Sequence, residues 1–432
     1  MSLVIKPMQT HKFRNGVLLA TFTTLSCWAG PKFNFNEGNS SLELTQTYQM
    51  WGAITPSLDN TPDVGARADL YLRRARFGFK GQVMPSLFYV TNISFDNIGK
   101  DPYGGTTTGS GQDLNSSRFA LNDAYLSYEV DTNLAVMTLG YLPPQTSREF
   151  SSSFGSVSSL DFSLVYNYYR EHITTRSSGR ETGLNIGGQW SKAKLGGVQY
   201  QFGAFDAVQE KAKLNANLRG HRIWSPLWTG RVAITAGDME NSRYALKQPT
   251  QYFGKRTGIT LGAYGTVQNE TSILYDTTFK ADGTVNKLTY AGGFDHNITY
   301  GTDLLGNWKG LSISGELSFL QREALGATYT DTVLYVRGAY GIKLGDSIGS
   351  IEPVALYSRF RGDPLSLQNP SGQETQMDFG INYFPPTKGV RLSVHYVYAN
   401  GKAKSQYSKG VSKDGVEDPK NSSIVGEVLI QL

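Results

Sequence analysis

The 432-residue chain has one cysteine, Cys27, and five histidines. No uninterrupted apolar run reaches the roughly 18 residues that a membrane-spanning helix needs. A single thiol excludes an internal disulfide framework. The histidines show no pairing at metal-ligand spacing, which argues against a zinc centre. Charged residues make up only 18% of the chain, below the ~25% of an ordinary soluble domain. The hydrophobic share of 39% and the aromatic share of 12% are nevertheless too high for a disordered chain. What is abundant is glycine (48 residues), tyrosine (25) and phenylalanine (21), at a mean hydropathy of −0.33. A chain that is β-rich and polar on average points to a long-stranded barrel or a large sandwich.

Residues 1–29 have the pattern of a secretory signal peptide. Lys6, Lys12 and Arg14 form a basic start, Val17 to Leu25 a short apolar core, and Cys27-Trp28-Ala29 a small-residue cleavage site. The formal net charge of +5 falls to +2 when three cations and no acids leave with this segment, so a nucleic-acid partner is not implied. Cys27 leaves too. The expected division is a signal peptide over 1–29 and one β-barrel domain over 30–432.

Along the rest of the chain, apolar and polar residues alternate over segments of about ten residues, separated by Gly, Asn, Asp and Pro. In 121–130, Asp123, Tyr125, Ser127 and Glu129 share one face; in 310–320, Leu311, Ile313, Leu317 and Phe319 oppose Ser312, Ser314, Glu316 and Ser318. That length suits strands tilted across a bilayer, whereas soluble sandwiches use strands of about five or six residues. Outer-membrane barrels join strands by short turns at the periplasmic end and long loops outside. Links near 53–69, 97–118, 142–181 and 206–213 are long or medium, and those near 83–86, 131–132, 192–195 and 225–228 are short. The alternation continues in the C-terminal half and breaks only over 239–297, read as one very long outer loop or a loop plus an extra strand pair. The expectation is an all-β transmembrane antiparallel barrel of about 16 strands, with 18 as the alternative if 256–267 and 287–297 span. Barrels of that size leave an aqueous channel.

If the apolar faces meet lipid, the inward positions include Arg74, Arg76, Lys80, Arg231, Arg337, Lys343, Arg359, Arg361 and Arg391, against Asp123, Glu129, Glu316, Asp378 and Glu427. The surplus is positive, and rings of Arg and Lys favour anions in a pore. The densest signal is LYLRRARFGFKG over 70–81, where strict alternation would put Arg73 toward lipid. There it would cost ~2–4 kcal/mol, so it belongs at a rim, or a bulge turns it inward. The third outer loop, 142–181, carries Arg148, Arg170, Arg176 and Arg180 and is expected to constrict the lumen.

The motifs LRRARFGFKG (72–81), DAYLSYE (123–129), GYLPPQTSREFSSS (140–153) and GRETGLNIGGQW (179–190) resemble the phosphate- and polyphosphate-selective porins of Gram-negative outer membranes, of the O and P type. The resemblance implies a homotrimer of sixteen-stranded barrels in the outer membrane, each with its own pore and an infolded third outer loop. It places Arg73 and Arg74 in an anion-binding ladder. The expected solutes are small anions such as phosphate; no cofactor, metal or catalytic residue is expected. His395 and Ser393 lie side by side on one strand face without an identifiable orienting acid, so the chain is not expected to be an enzyme. A general or sugar-type diffusion porin, and a structural barrel without an open channel, remain as alternatives.

Overall fold

The computed structural model describes residues 30–55, 67–99, 120–131, 133–174, 179–192, 195–207, 218–222, 224–270, 272–280, 282, 285–292, 295–324, 327–363, 373–401 and 420–432. The signal segment over 1–29, residues 402–419 near the C-terminus and Arg176 lie outside them. Sixteen antiparallel strands close into a barrel. They are β1 Ser40–Thr55, β2 Arg67–Met84, β3 Leu87–Ile98, β4 Ala120–Asp131, β5 Ala135–Leu142, β6 Glu181–Lys192, β7 Gly196–Phe205 and β8 Leu227–Gly237. The second half is β9 Gly258–Asn269, β10 His296–Trp308, β11 Leu311–Ala324, β12 Ala327–Tyr340, β13 Gly349–Arg361, β14 Gln373–Phe384, β15 Val390–Gly401 and β16 Lys420–Gln431. Each pairs with its neighbour in the chain, and β16 closes the ring on β1 from Thr47↔Gln431 to Ile54↔Ile424. Two short strands, Lys32–Phe35 and Ile342–Gly345, add to β1 and β13.

Alternation explains the wall. In β8, Thr229, Arg231, Ala233 and Thr235 point inward and are buried, while Trp228, Val232 and Ile234 are exposed on the outside. No described helix is long and apolar enough to cross a membrane; the crossing is made by strands, whose backbone groups are satisfied by their neighbours around the closed ring.

The strand count matches expectation, but its composition does not. Leu218–Arg222 is not in the barrel: it pairs with Ser272–Phe279, which pairs with Val285–Gly292, in a separate three-stranded sheet. Residues 206–226 are therefore one connection at the long-loop end, with no turn near 225–228. Conversely, β9 spans, so 239–297 is not a single outer loop. Its first part, 238–257, joins β8 to β9 at the short-turn end and folds up into the lumen. There Tyr244 fits against Gly187 of β6, where a Cβ would come within 2.2 Å of its ring. The omitted and added strands cancel, which preserved the count.

From the other end, the described residues of the connection 143–180 (loop L3) enter the lumen, with helix α1 at Arg148–Ser151 and α2 at Leu164–Ile173. The Ser147 side chain caps α1 by accepting the Phe150 N–H. Leu164, Val165, Tyr168, Tyr169 and Ile173 of α2 join Leu320, Val333, Tyr335, Leu356 and Phe360 in one buried cluster, with Tyr168 stacked on Phe360 at 3.6 Å. The apolar core of this barrel thus lies inside it, between L3 and strands β11–β13.

Candidate functional site: an arginine-lined face opposite loop L3

L3 divides the lumen into two unlike sides. Toward β10–β15 it is sealed to the wall by buried polar pairs. Arg148 donates to both Glu240 oxygens at 2.7 and 2.6 Å and to Asp303 at 3.0 Å. Arg231 holds the same Asp303 at 2.9 and 2.8 Å. Arg337 forks onto Glu149 at 3.1 and 2.7 Å. Arg391 pairs with Glu427 and donates to the Val157 carbonyl at 2.7 Å. Asp378 accepts the Leu160 N–H at 2.8 Å. Glu240 comes from the 238–257 insert, so both inserts are clasped through Arg148. Burial alone would raise the Glu240 carboxyl, but Arg148, with Arg231 and Arg256 behind it, more than reverses this and holds it below its usual value.

The side toward β1–β5 is different. Inward residues there, such as Thr45, Thr47, Asn92, Asp96 and Tyr125, are only partly buried, so the water-accessible part of the lumen lies along this wall. Arg73 is turned inward by a bulge. Across β1, Gln49 pairs with Arg74 and Met50 with Leu72, which leaves Arg73 as the extra residue. It reaches Asp161 of L3 at 3.0 Å and Asn97 at 2.9 Å. Arg74 donates to both Asp161 oxygens and to Gln49. Burial pushes the Asp161 carboxyl up, yet Arg74 and Arg73 more than reverse this and hold it at about 2. The guanidiniums of Arg74 and Arg76 lie 4.9 and 4.5 Å from the centre of the Phe154 ring.

Tyr166 of α2 collects further cations. Arg180 donates to its hydroxyl at 3.4 Å, and Arg170 lies 5.8 Å from its ring centre. Burial would raise the Tyr166 phenol, but Arg180, Arg170, Arg76 and Arg74 together keep it below its ordinary value. Arg180 also binds Asp123 at 3.1 Å, and Lys247 approaches the other oxygen of that carboxylate at 3.2 Å. Arg76 faces Asp96 at 3.9 Å, and its Nε has no hydrogen-bond partner. Six cations therefore gather about Asp96, Asp123 and Asp161. The arrangement offers planar guanidinium forks of the kind that receive oxyanions.

Of the residues singled out in the sequence, Arg73, Arg74, Arg76, Arg170 and Arg180 meet here. Lys80 is half-exposed beside Glu43, nearer the short-turn end of β2. Arg148, Arg231, Arg337 and Arg391 are inward but sealed on carboxylates. Arg359 and Arg361 are not lining residues: in β13, Glu352, Val354, Leu356, Ser358 and Phe360 face in, and the two arginines are exposed on the outer face. The cause is α2, which makes the inner face of β13 apolar and so reverses the rule that polar residues face the lumen. Lys343 sits exposed on a short edge strand beside Asp346. The positive surplus expected over the whole wall is thus absent: among the described buried side chains, acids outnumber arginines. It is confined to the β2–β4 face. Lys247, Tyr166, Glu240 and Asp303 were not identified from the sequence. Only Tyr166 carried a signal, in the Tyr-Asn-Tyr-Tyr-Arg run of L3.

The family of phosphate-selective porins O and P matches residues 55–417. No curated protein sequence matches the chain. Among solved structures, an anion-selective porin from Comamonas acidovorans superposes with a TM-score of 0.53 at 15% identity, covering 91% of this chain and 100% of the other. OmpF of Salmonella typhi in complex with daunomycin gives 0.51 at 12%, covering 93% and 100%. The outer membrane channel DcaP of Acinetobacter baumannii gives 0.50 at 12%, covering 94% and 100%. At these identities the structures support the porin fold, and the family match carries the assignment. The chain belongs to the phosphate-selective porin O and P family, the channel-forming β-barrels of the Gram-negative outer membrane.

Proposed function

We propose that this porin passes small anions, phosphate among them, along the β2–β4 face. The observation that carries the reading is the gathering of Arg74, Arg76, Arg170 and Arg180 about Tyr166, enough to lower its phenol against the effect of burial. A lining of cations favours anion entry, and a low-dielectric cleft strengthens the field they produce. Loop L3 narrows the lumen and brings solutes onto this face. The leader over 1–29 supports export by signal-peptide cleavage, and the family supports a homotrimer with one pore per chain. The deciding experiment is the reversal potential of purified protein in planar bilayers under a salt gradient. Anion preference with chloride current reduced by added phosphate is expected; cation preference or no conductance would overturn the reading. Mass spectrometry of the mature N-terminus and native mass of the extracted assembly test the leader and the trimer.

A further inference from the structure

The cations around Tyr166 and Asp123 do not share one origin. Arg74 and Arg76 stand on β2, and Arg170 and Arg180 belong to L3. Lys247 arrives from the periplasmic end, on the 238–257 insert. We propose that Lys247 is a specificity-determining residue of the channel, the ammonium that meets an oxyanion in transit beside the wall arginines. This rests on the reading of anion passage given above.

Three observations support it. First, the insert holds Lys247 in place. Three residues before it, Tyr244 is bonded by Asn185 at 2.9 Å in the space left by Gly187. Just after it, the Gln248 N–H reaches the Ser151 carbonyl of L3 at 3.3 Å. Thr250 donates to Ser156 at 2.7 Å, Gln251 bonds Glu352, and Arg256 donates to Asp238 and Asn307. Second, Lys247 is the most water-facing member of the cluster. Its side chain is 43% exposed, against 21% for Arg76 and 11% for Arg180. Third, Asp123 has hydrogen-bond partners besides Lys247. Arg180 at 3.1 Å and Asn92 at 3.0 Å already satisfy that carboxylate. With those two bonds kept, the half-exposed ammonium, 3.2 Å from Asp123, can turn from it toward a passing anion. Lysine suits this, because it is a compact charge on a flexible stem, whereas the arginines are fixed forks. The selectivity face is therefore assembled from both ends of the barrel.

The test uses the full chain in planar bilayers. Lys247→Gln should reduce the anion-over-cation permeability ratio and the phosphate block several-fold, with Lys247→Arg near wild type. In a Cys27→Ser background, Lys247→Cys places one thiol at the site. Reaction with a cationic ethylammonium methanethiosulfonate should restore anion preference, and the anionic ethylsulfonate reagent should lower it further. Because both adducts form on one folded variant, misfolding cannot imitate opposite effects. Unchanged reversal potentials for Lys247→Gln and for both adducts, in a wild-type channel that itself prefers anions, would reduce Lys247 to a brace for Asp123. A wild-type channel without anion preference would instead defeat the underlying reading.

Discussion

The two sides of the lumen carry the same residue types and use them differently. On the sealed side, Arg148, Arg231, Arg337 and Arg391 each lie against a carboxylate with 3% exposure or less. On the β2–β4 side, Arg73 and Arg76 keep 14% and 21% exposure, and cations outnumber nearby acids. A guanidinium paired in a dry interior holds structure together, and one left beside water attracts solutes. Which role an arginine takes is set by what covers it, and here the cover is L3.

The strongest way to break this comparison is to attack the sealed side. Arg148→Ala leaves Glu240 and Asp303 buried without their shared partner, a change costing about 3–5 kcal/mol. A lowered thermal unfolding midpoint and noisier single-channel current are expected; an unaltered protein would mean the two inserts are not clasped there. On the open side, replacing Arg74 and Arg76 together by Ala should lower anion selectivity several-fold in reversal-potential measurements. Loss of stability without any change in selectivity would make these arginines members of the sealed class. Acid probes the border between the sides at Asp161. Its carboxyl is held at about 2 against an unfolded value near ~3.9. The stabilisation, about 2–3 kcal/mol, is fully present above pH ~5 and is lost progressively as pH falls through ~4 to below ~2. Amide exchange of L3 should rise across that window and stay flat above it. The smallest effect is expected from Arg359→Gln with Arg361→Gln: selectivity unchanged, since both side chains face outward.

Much of this architecture was legible in the sequence. Period-two segments marked most of the barrel strands, and L3 was bounded to within a residue. The crowding of Arg73, Arg74 and Arg76 required either a rim position or a bulge, and a bulge is present. Other features left no local trace. The 238–257 insert has the composition of an outer loop, and nothing in its residues tells which end of a barrel it enters. The charges that neutralise L3 come from distant strands: Arg148 meets Asp303 and Glu149 meets Arg337 only after the ring has formed. Arg359 was misplaced because alternation reports which face is apolar, and in β13 an internal helix makes the inner face apolar as well.

The crossing of L3 also has a consequence for assembly. The loop is made before β10–β16 exist, yet its Glu149, Leu160 and Tyr168 find their partners on Arg337, Asp378 and Glu374 of those later strands. Until then its charged groups must stay hydrated at the open end of an unfinished sheet. Burying them requires the ring to close on β1 and the loop to dock as linked events, the costly late contacts of a high-contact-order fold. Damage to the last hairpin should therefore be felt first by a loop some 250 residues upstream, as failure to settle rather than failure to insert.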